Sequence, residues 1–144
     1  MNPKPNPWAR RRARRALVQA VYQWQMTGVD AAAVTAEFGD ALTRADRDFF
    51  QELLRGVLTS TAELDALFAP LLDRDVDDLD HVERAILRLG AYELAHRIDV
   101  PYRVVIDEYV ELAKLFGAED GYKYVNGVLD RLSNQLRVPE RSGG

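Results

Sequence analysis

Apolar residues recur along this chain at spacings of three and four, and no run alternates apolar with polar residues between hairpin turns. The pattern predicts an all-α protein of six or seven helices. Pro3, Pro5 and Pro7 make the start extended, and Pro7 is also placed to enter the first turn of a helix that runs to about Met26 and is ended by Gly28. A short helix from about Asp30 to Phe38 follows. A longer one starts at Thr43 or Asp46 and passes through Leu58; Gly56 weakens it, and Ser60, Thr61 and Glu63 either continue or restart it toward Leu72. Asp80 is placed to cap a helix from His81 to about Arg97. There Val82, Ile86 and Leu89 form one stripe while Leu87, Ala91 and Leu94 form another, so this helix is expected between neighbours at the centre of the fold. Asp99 and Pro101 break the chain before a helix marked by Val105, Tyr109, Leu112 and Phe116 and stopped by Gly117. Val125, Leu129, Leu132 and Leu136 mark the last helix, which stops near Pro139. The expected organisation is one domain over residues 8–137, between a flexible arm at 1–7 and a flexible tail at 138–144.

Composition narrows this picture. At 144 residues and 47% hydrophobic content, the chain is expected to form one compact domain. Cysteine is absent, which excludes disulfides, thiolate metal sites and cysteine nucleophiles and fits a reducing compartment, with the cytoplasm as the default. The arginine-rich start suits neither a transit peptide nor an export signal, because Ala16 to Trp24 is interrupted by glutamines and continues an amphipathic pattern. No stretch is long enough to span a bilayer.

Charge changes the picture most. Arg10, Arg11, Arg12, Arg14 and Arg15 crowd into six positions, and the first 15 residues hold six of the 19 basic residues and none of the 23 acidic ones. The remainder, with 13 basic against 23 acidic residues, carries −10. A field this local attracts phosphates to one end of the molecule. Stepping residues at 100° around the first helix puts Ala13, Ala16, Leu17, Ala20, Val21 and Trp24 on one side and most of the arginines on the other, with Tyr22 and Trp8 on the charged side. Guanidinium groups with exposed rings suit single-stranded nucleic acid, since the cations pair with phosphates and the rings stack on unpaired bases. The competing readings are a face that is simply solvated and one that docks on an acidic protein.

Other chemistry is thin. Asp73 to Asp80 resembles the start of a calcium loop, but Asp78 falls where the sharp turn needs glycine and Arg84 where a bidentate glutamate is required. His81 and His96 are fifteen positions apart and make no ligand pair. There is no glycine-rich phosphate loop and no nucleophile elbow. Asp107, Glu108 and Glu111 approach one another on a helix, an arrangement routine on surfaces. No enzyme, metal or cofactor is expected.

Downstream the chain reads Val100-Pro101-Tyr102-Arg103-Val104-Val105-Ile106-Asp107-Glu108, then Phe116-Gly117-Ala118-Glu119-Asp120, then Tyr124-Val125-Asn126-Gly127-Val128-Leu129-Asp130. With Arg10-Arg11-Arg12-Ala13-Arg14 and Ala20-Val21-Tyr22-Gln23-Trp24, this resembles the NusB family of bacterial transcription antitermination factors over residues 8–137. The resemblance implies two packed helical bundles acting without catalysis. It also implies pairing with NusE, a small-subunit ribosomal protein, and binding to boxA RNA in nascent, chiefly ribosomal, transcripts. That pair helps nucleate a complex on RNA polymerase with other Nus factors. By the same resemblance the arginine helix is an RNA-binding motif, Phe116, Gly117, Asp120 and Tyr124 form a second RNA-facing patch, and Tyr22 and Glu83 meet NusE. The same helical module occurs fused to RNA methyltransferases, and an end at Gly144 is read against that arrangement.

The residues of the second patch have readings of their own. Gly117 to Asp120 ends one helix and starts another, so backbone N–H groups of the last helix are placed to meet a phosphate, with Lys123 adding charge. Asp120 repels phosphate and is expected as the N-cap of that helix. Phe116 and Tyr124 are either core or stacking residues, and Gly127 is expected where a neighbouring helix comes close.

Overall fold

Side-chain caps start four of the eight α-helices among the residues described, 6–143, in a computed structural model of the chain. The Asn6 side chain accepts from the N–H groups of Trp8 and Ala9 at 3.0 and 3.2 Å, so α1, Pro7–Thr27, begins capped and with proline in its first turn. Gly28 ends it at φ 72°, its N–H returning to the Trp24 carbonyl at 2.8 Å. Asp30 caps α2 (Ala31–Glu37), Asp46 caps α3 (Arg47–Thr59) and Asp80 caps α5 (His81–His96), each through its carboxylate. The restart at Ser60 gives a separate α4, Thr61–Phe68. Tyr102–Phe116 form α6, Gly121–Leu136 form α7 and Val138–Ser142 form α8. Three short 3-10 turns fill the connections, and among the described residues there is no strand. No helix there is long and apolar enough to cross a membrane.

The central place expected for α5 is the place it takes. Residues Ala85 to Ala91 are all buried, and the helix packs against α1, α3, α4, α6 and α7. Glycine permits two of these approaches: Gly56 of α3 lies under the Tyr92 ring, and a Cβ on Gly90 would come within 2.8 Å of Leu129 in α7. Gly127 does not work this way. A Cβ there would meet nothing within 4 Å, so the close approach expected at Gly127 occurs at Gly90 instead.

The segment after α7 departs from an unstructured tail. Pro139 falls in the first turn of α8, where its missing N–H costs nothing, so it begins a helix as well as ending one. Arg137 is 2% exposed, and its guanidinium donates to the carbonyls of Glu93, Leu94, Arg97 and Val100 and to Glu140 at 2.6 to 3.1 Å. It thereby gathers the carbonyls at the end of α5 and in the following loop, of which those of Glu93 and Arg97 also accept backbone N–H groups. Glu140 also accepts from the N–H of Tyr102 at 2.9 Å, tying α8 to the start of α6. At the other end, residues 1–5 of the expected arm lie outside the described residues, while Asn6 and Pro7 belong to the start of α1.

Candidate nucleic-acid interface

The five arginines of α1 separate by helix phase into two sets. Arg11, Arg12 and Arg15 are exposed; Arg10 is half-buried and Arg14 fully buried. Arg14 meets Glu93 of α5 through two parallel bonds, Nε and Nη2 donating at 2.8 Å each, and the Tyr109 hydroxyl of α6 donates to the same carboxylate at 2.6 Å. Burial works against the Arg14 charge, but the hydrogen bonds and the charge of Glu93 outweigh it and raise the guanidinium pKa. Burial, reinforced by Glu93, pushes the Tyr109 phenol well above its ordinary value. Arg10 lies 3.5 Å from Asp46 and 3.8 Å from Asp99; the first is a charge contact without a hydrogen bond. Arg10, Arg14 and Arg97 all pack on the Phe49 ring at 4.9 to 5.2 Å. Arg10 and Arg14 therefore join α1 to α3, α5 and the loop before α6, and the charged face is narrower than five arginines imply.

On the outer side, Trp8 is 64% exposed with the Arg11 guanidinium 5.0 Å from its ring. Arg11 also bonds Glu108 of α6, which raises its pKa. Arg12 reaches the Arg44 carbonyl at 3.5 Å. Arg15 lies 5.7 Å over the ring of Phe116, the last residue of α6. That contact brings the arginine helix and the second patch into one surface.

The second patch is less uniform. Phe116 is half-buried beneath Arg15, neither core nor free. Gly117 is extended, and a Cβ there would stand 2.7 Å from the Ala113 carbonyl oxygen. Asp120 is not the side-chain cap expected of it. Its backbone is left-handed at φ 64°, whereas a capping residue needs an extended backbone to turn its oxygen onto the following N–H groups. The carboxylate instead lies 3.4 Å from Lys123. Tyr124 is held toward the acidic connector: its hydroxyl donates to Asp73 at 3.0 Å and Arg74 covers its ring at 4.9 Å. Bonds from Arg74 and Tyr124 lower the Asp73 pKa to about 2. Sequence reading missed Tyr122, whose ring has Lys114 at 5.0 Å and Lys123 at 5.9 Å. Nothing in the one-dimensional pattern pairs residues of α6 with a ring across the turn.

Of the two remaining positions, Glu83 lies in the first turn of α5 and Tyr22 of α1 stands beside that turn. Tyr22 is 39% exposed, edge-on to His81 at 6.4 Å, and with Val18, Gln19, Val82 and Phe116 it lines an apolar cavity of about 220 Å³. Glu83 is buried with its carboxylate against Gly121, where a Cβ would collide with it. Burial, then the charge of Asp80, raises its pKa against the opposing pull of Arg74.

Known proteins have similar chains and a similar fold. The model of the NusB family matches residues 11–134. The transcription antitermination protein NusB of Alcanivorax borkumensis is 54% identical over 99% of this chain and 96% of its own, and that of Hahella chejuensis 52% identical over 91% and 89%. The solved structure of T. maritima NusB superposes with a TM-score of 0.77 at 30% identity, covering 92% of this chain and 93% of the other. A crystal structure of the antitermination factors NusB and NusE in complex with dsRNA gives 0.75 at 26% identity, over 87% and 96%. With a family match running from the arginine helix to the end of α7, and close relatives covered nearly end to end, this chain belongs to the NusB family.

Proposed function

We propose that this protein is a non-catalytic transcription antitermination factor of the cytoplasm that pairs with NusE and binds boxA RNA in nascent, chiefly ribosomal, transcripts. The pair promotes assembly of the antitermination complex on RNA polymerase, with no cofactor. The observation that carries the reading is the Arg15 guanidinium over Phe116, which makes a basic helix and an aromatic turn one continuous surface for an unpaired strand. Arg12 and Arg15 supply most of the charge of that surface, Arg11 and Lys123 lie on it paired with Glu108 and Asp120, and Phe116, Gly117, Asp120 and Tyr124 border it. Arg10 and Arg14 serve it from behind, by fixing the phase of α1. Tyr22 and the apolar cavity beside it, together with Glu83 in the first turn of α5, form the NusE side. The helices are read as two bundles, α1–α4 and α5–α7, with α5 packed against both.

Phosphate contacts give affinity and register but no sequence, so discrimination of boxA belongs to the α6–α7 turn and to the complex with NusE. Fluorescence anisotropy of labelled boxA RNA, titrated with this protein alone and with equimolar NusE against a scrambled RNA of equal length, tests the reading. Selective binding that sharpens with NusE is expected. Equal, weak binding to both RNAs, unmoved by NusE, would reduce α1 to a basic helix with a general liking for phosphate.

A further inference from the structure

The exposed cations of the RNA face are not equally free. Among the described residues, Arg12 makes its one side-chain bond to a carbonyl and Arg15 lies on a ring; neither has a carboxylate partner. Arg11 has one. Its Nε lies 3.2 and 3.3 Å from the two oxygens of Glu108 and its Nη2 3.0 Å from one of them, so a whole edge of the guanidinium is occupied. The Arg11 side chain is 58% exposed while that of Glu108 is only 14%, so the acid reaches the surface cation from a sheltered position on α6. Glu108 also lines the small cavity beside Arg10 and Arg14. Trp8 packs on the Arg11 guanidinium and steadies the same geometry.

We propose that Glu108 limits the affinity of this face for RNA by occupying Arg11 with a carboxylate where a phosphate would otherwise bind. The proposal rests on the RNA-binding reading above. A guanidinium has five N–H donors in a planar fork, and Glu108 takes the edge best suited to a bidentate phosphate contact. A phosphate must either displace that carboxylate or settle on the outer edge next to it, and both routes oppose binding through like charge. The Arg11–Glu108 pair has no net charge, so in the wild type it adds nothing to counterion release. The salt-sensitive affinity therefore comes chiefly from Arg12 and Arg15, since Lys114 and Lys123 are themselves paired with Glu111 and Asp120, and α1 is held below the affinity its arginine count suggests. Because a phosphate contact carries no sequence information, Glu108 sets affinity alike for every RNA.

The test is the Glu108→Gln variant, which keeps shape and one acceptor for Arg11 while removing the charge. Its affinity for labelled boxA RNA and for the scrambled RNA is measured by anisotropy across a salt series. Tightening of about three- to tenfold at ~0.1 M salt, equal for the two RNAs, is expected. The slope of log affinity against log salt should steepen by about 0.7, the contribution of one more phosphate contact. Arg11→Ala made in the Glu108→Gln background should cancel both changes. A purely structural role for Glu108 would not steepen the slope, so an unchanged slope with unchanged or weaker binding overturns the proposal and makes Glu108 a support for Arg11. If Glu108→Gln melts early, the converse comparison decides: the double variant Arg11→Ala/Glu108→Ala, which removes a neutral pair, should cost less affinity than Arg12→Ala, and an equal or larger cost overturns the proposal. Wild-type protein that is folded by circular dichroism but binds neither RNA fails at the earlier step and removes the RNA-binding reading itself.

Discussion

Arg14 and Arg15 are neighbours in sequence and opposites in environment. Arg14 is sealed between Glu93, Tyr109 and Phe49, while Arg15 lies on the surface over Phe116. Arg10 sits four positions before Arg14 on the inward-turned side of α1, and Arg11 four before Arg15 on the outward one. Identical side chains thus serve two purposes according to phase: one set fixes α1 to the body of the protein, and the other offers charge to solvent. Counting arginines measures the field only where none is already neutralised inside the fold.

The largest effect should come from breaking the inward set. Arg14→Ala leaves a carboxylate and a phenol in the core without their cation, and should cost about 3–5 kcal/mol of stability in urea denaturation. Arg14→Lys should recover only part of this, because an ammonium does not reproduce two parallel bonds. The same network sets an alkaline limit. Tyr109 keeps its proton more tightly folded than unfolded, so its contribution is complete below the unfolded value of about 10 and is lost as pH rises through the higher folded value. Tyr109→Phe should remove that alkaline decline while lowering stability at neutral pH. A pH profile of melting temperature that is the same for wild type and Tyr109→Phe above pH ~10 would show the phenol to be uninvolved.

The difference between the two sets also marks what the sequence can convey. Asp30, Asp46 and Asp80 cap the helices they precede, Gly28 ends α1 in the left-handed region, and the double stripe of α5 places it at the centre. These features act over a few residues, and the periodicity records them directly. The partner of Arg14 is 79 positions away, and only the packing of α1 on α5 brings Glu93 to it. The docking of Arg137 on the end of α5 and the Tyr124 bond to Asp73 depend in the same way on distant segments. Asp120 misled for a local reason. Its residue type fits a cap, but its left-handed backbone turns the side chain elsewhere.

A smaller and differently directed effect is expected from the outward set. Arg12→Ala and Arg15→Ala should each leave stability within about 0.5 kcal/mol of wild type, since neither forms a buried ion pair. Each should weaken boxA binding and lower the slope of log affinity against log salt by about 0.7. Arg15→Ala should also loosen the surface over Phe116, so its loss at high salt should exceed that of Arg12→Ala. Equal stability losses for Arg14→Ala and Arg15→Ala, or an unaltered slope in both outward variants, would dissolve the distinction between the two sets.

The smallest change sharpens the comparison at the far edge of the same face. Asp120→Asn suits a backbone at φ 64°, since asparagine tolerates the left-handed region well, and there is no side-chain cap to lose. What disappears is a carboxylate 3.4 Å from Lys123 on an exposed turn, an ion pair worth little to stability. Unfolding should therefore be unchanged while boxA affinity rises by about twofold, as a like charge leaves the path of the strand and Lys123 is released to it. Because Asp120 is on the turn before α7 and makes no ion pair with α1, this gain should persist in an Arg12→Ala background. Additivity of that kind would establish the turn as a second contact with RNA, whereas unchanged or weaker binding would confine the strand to the arginine helix.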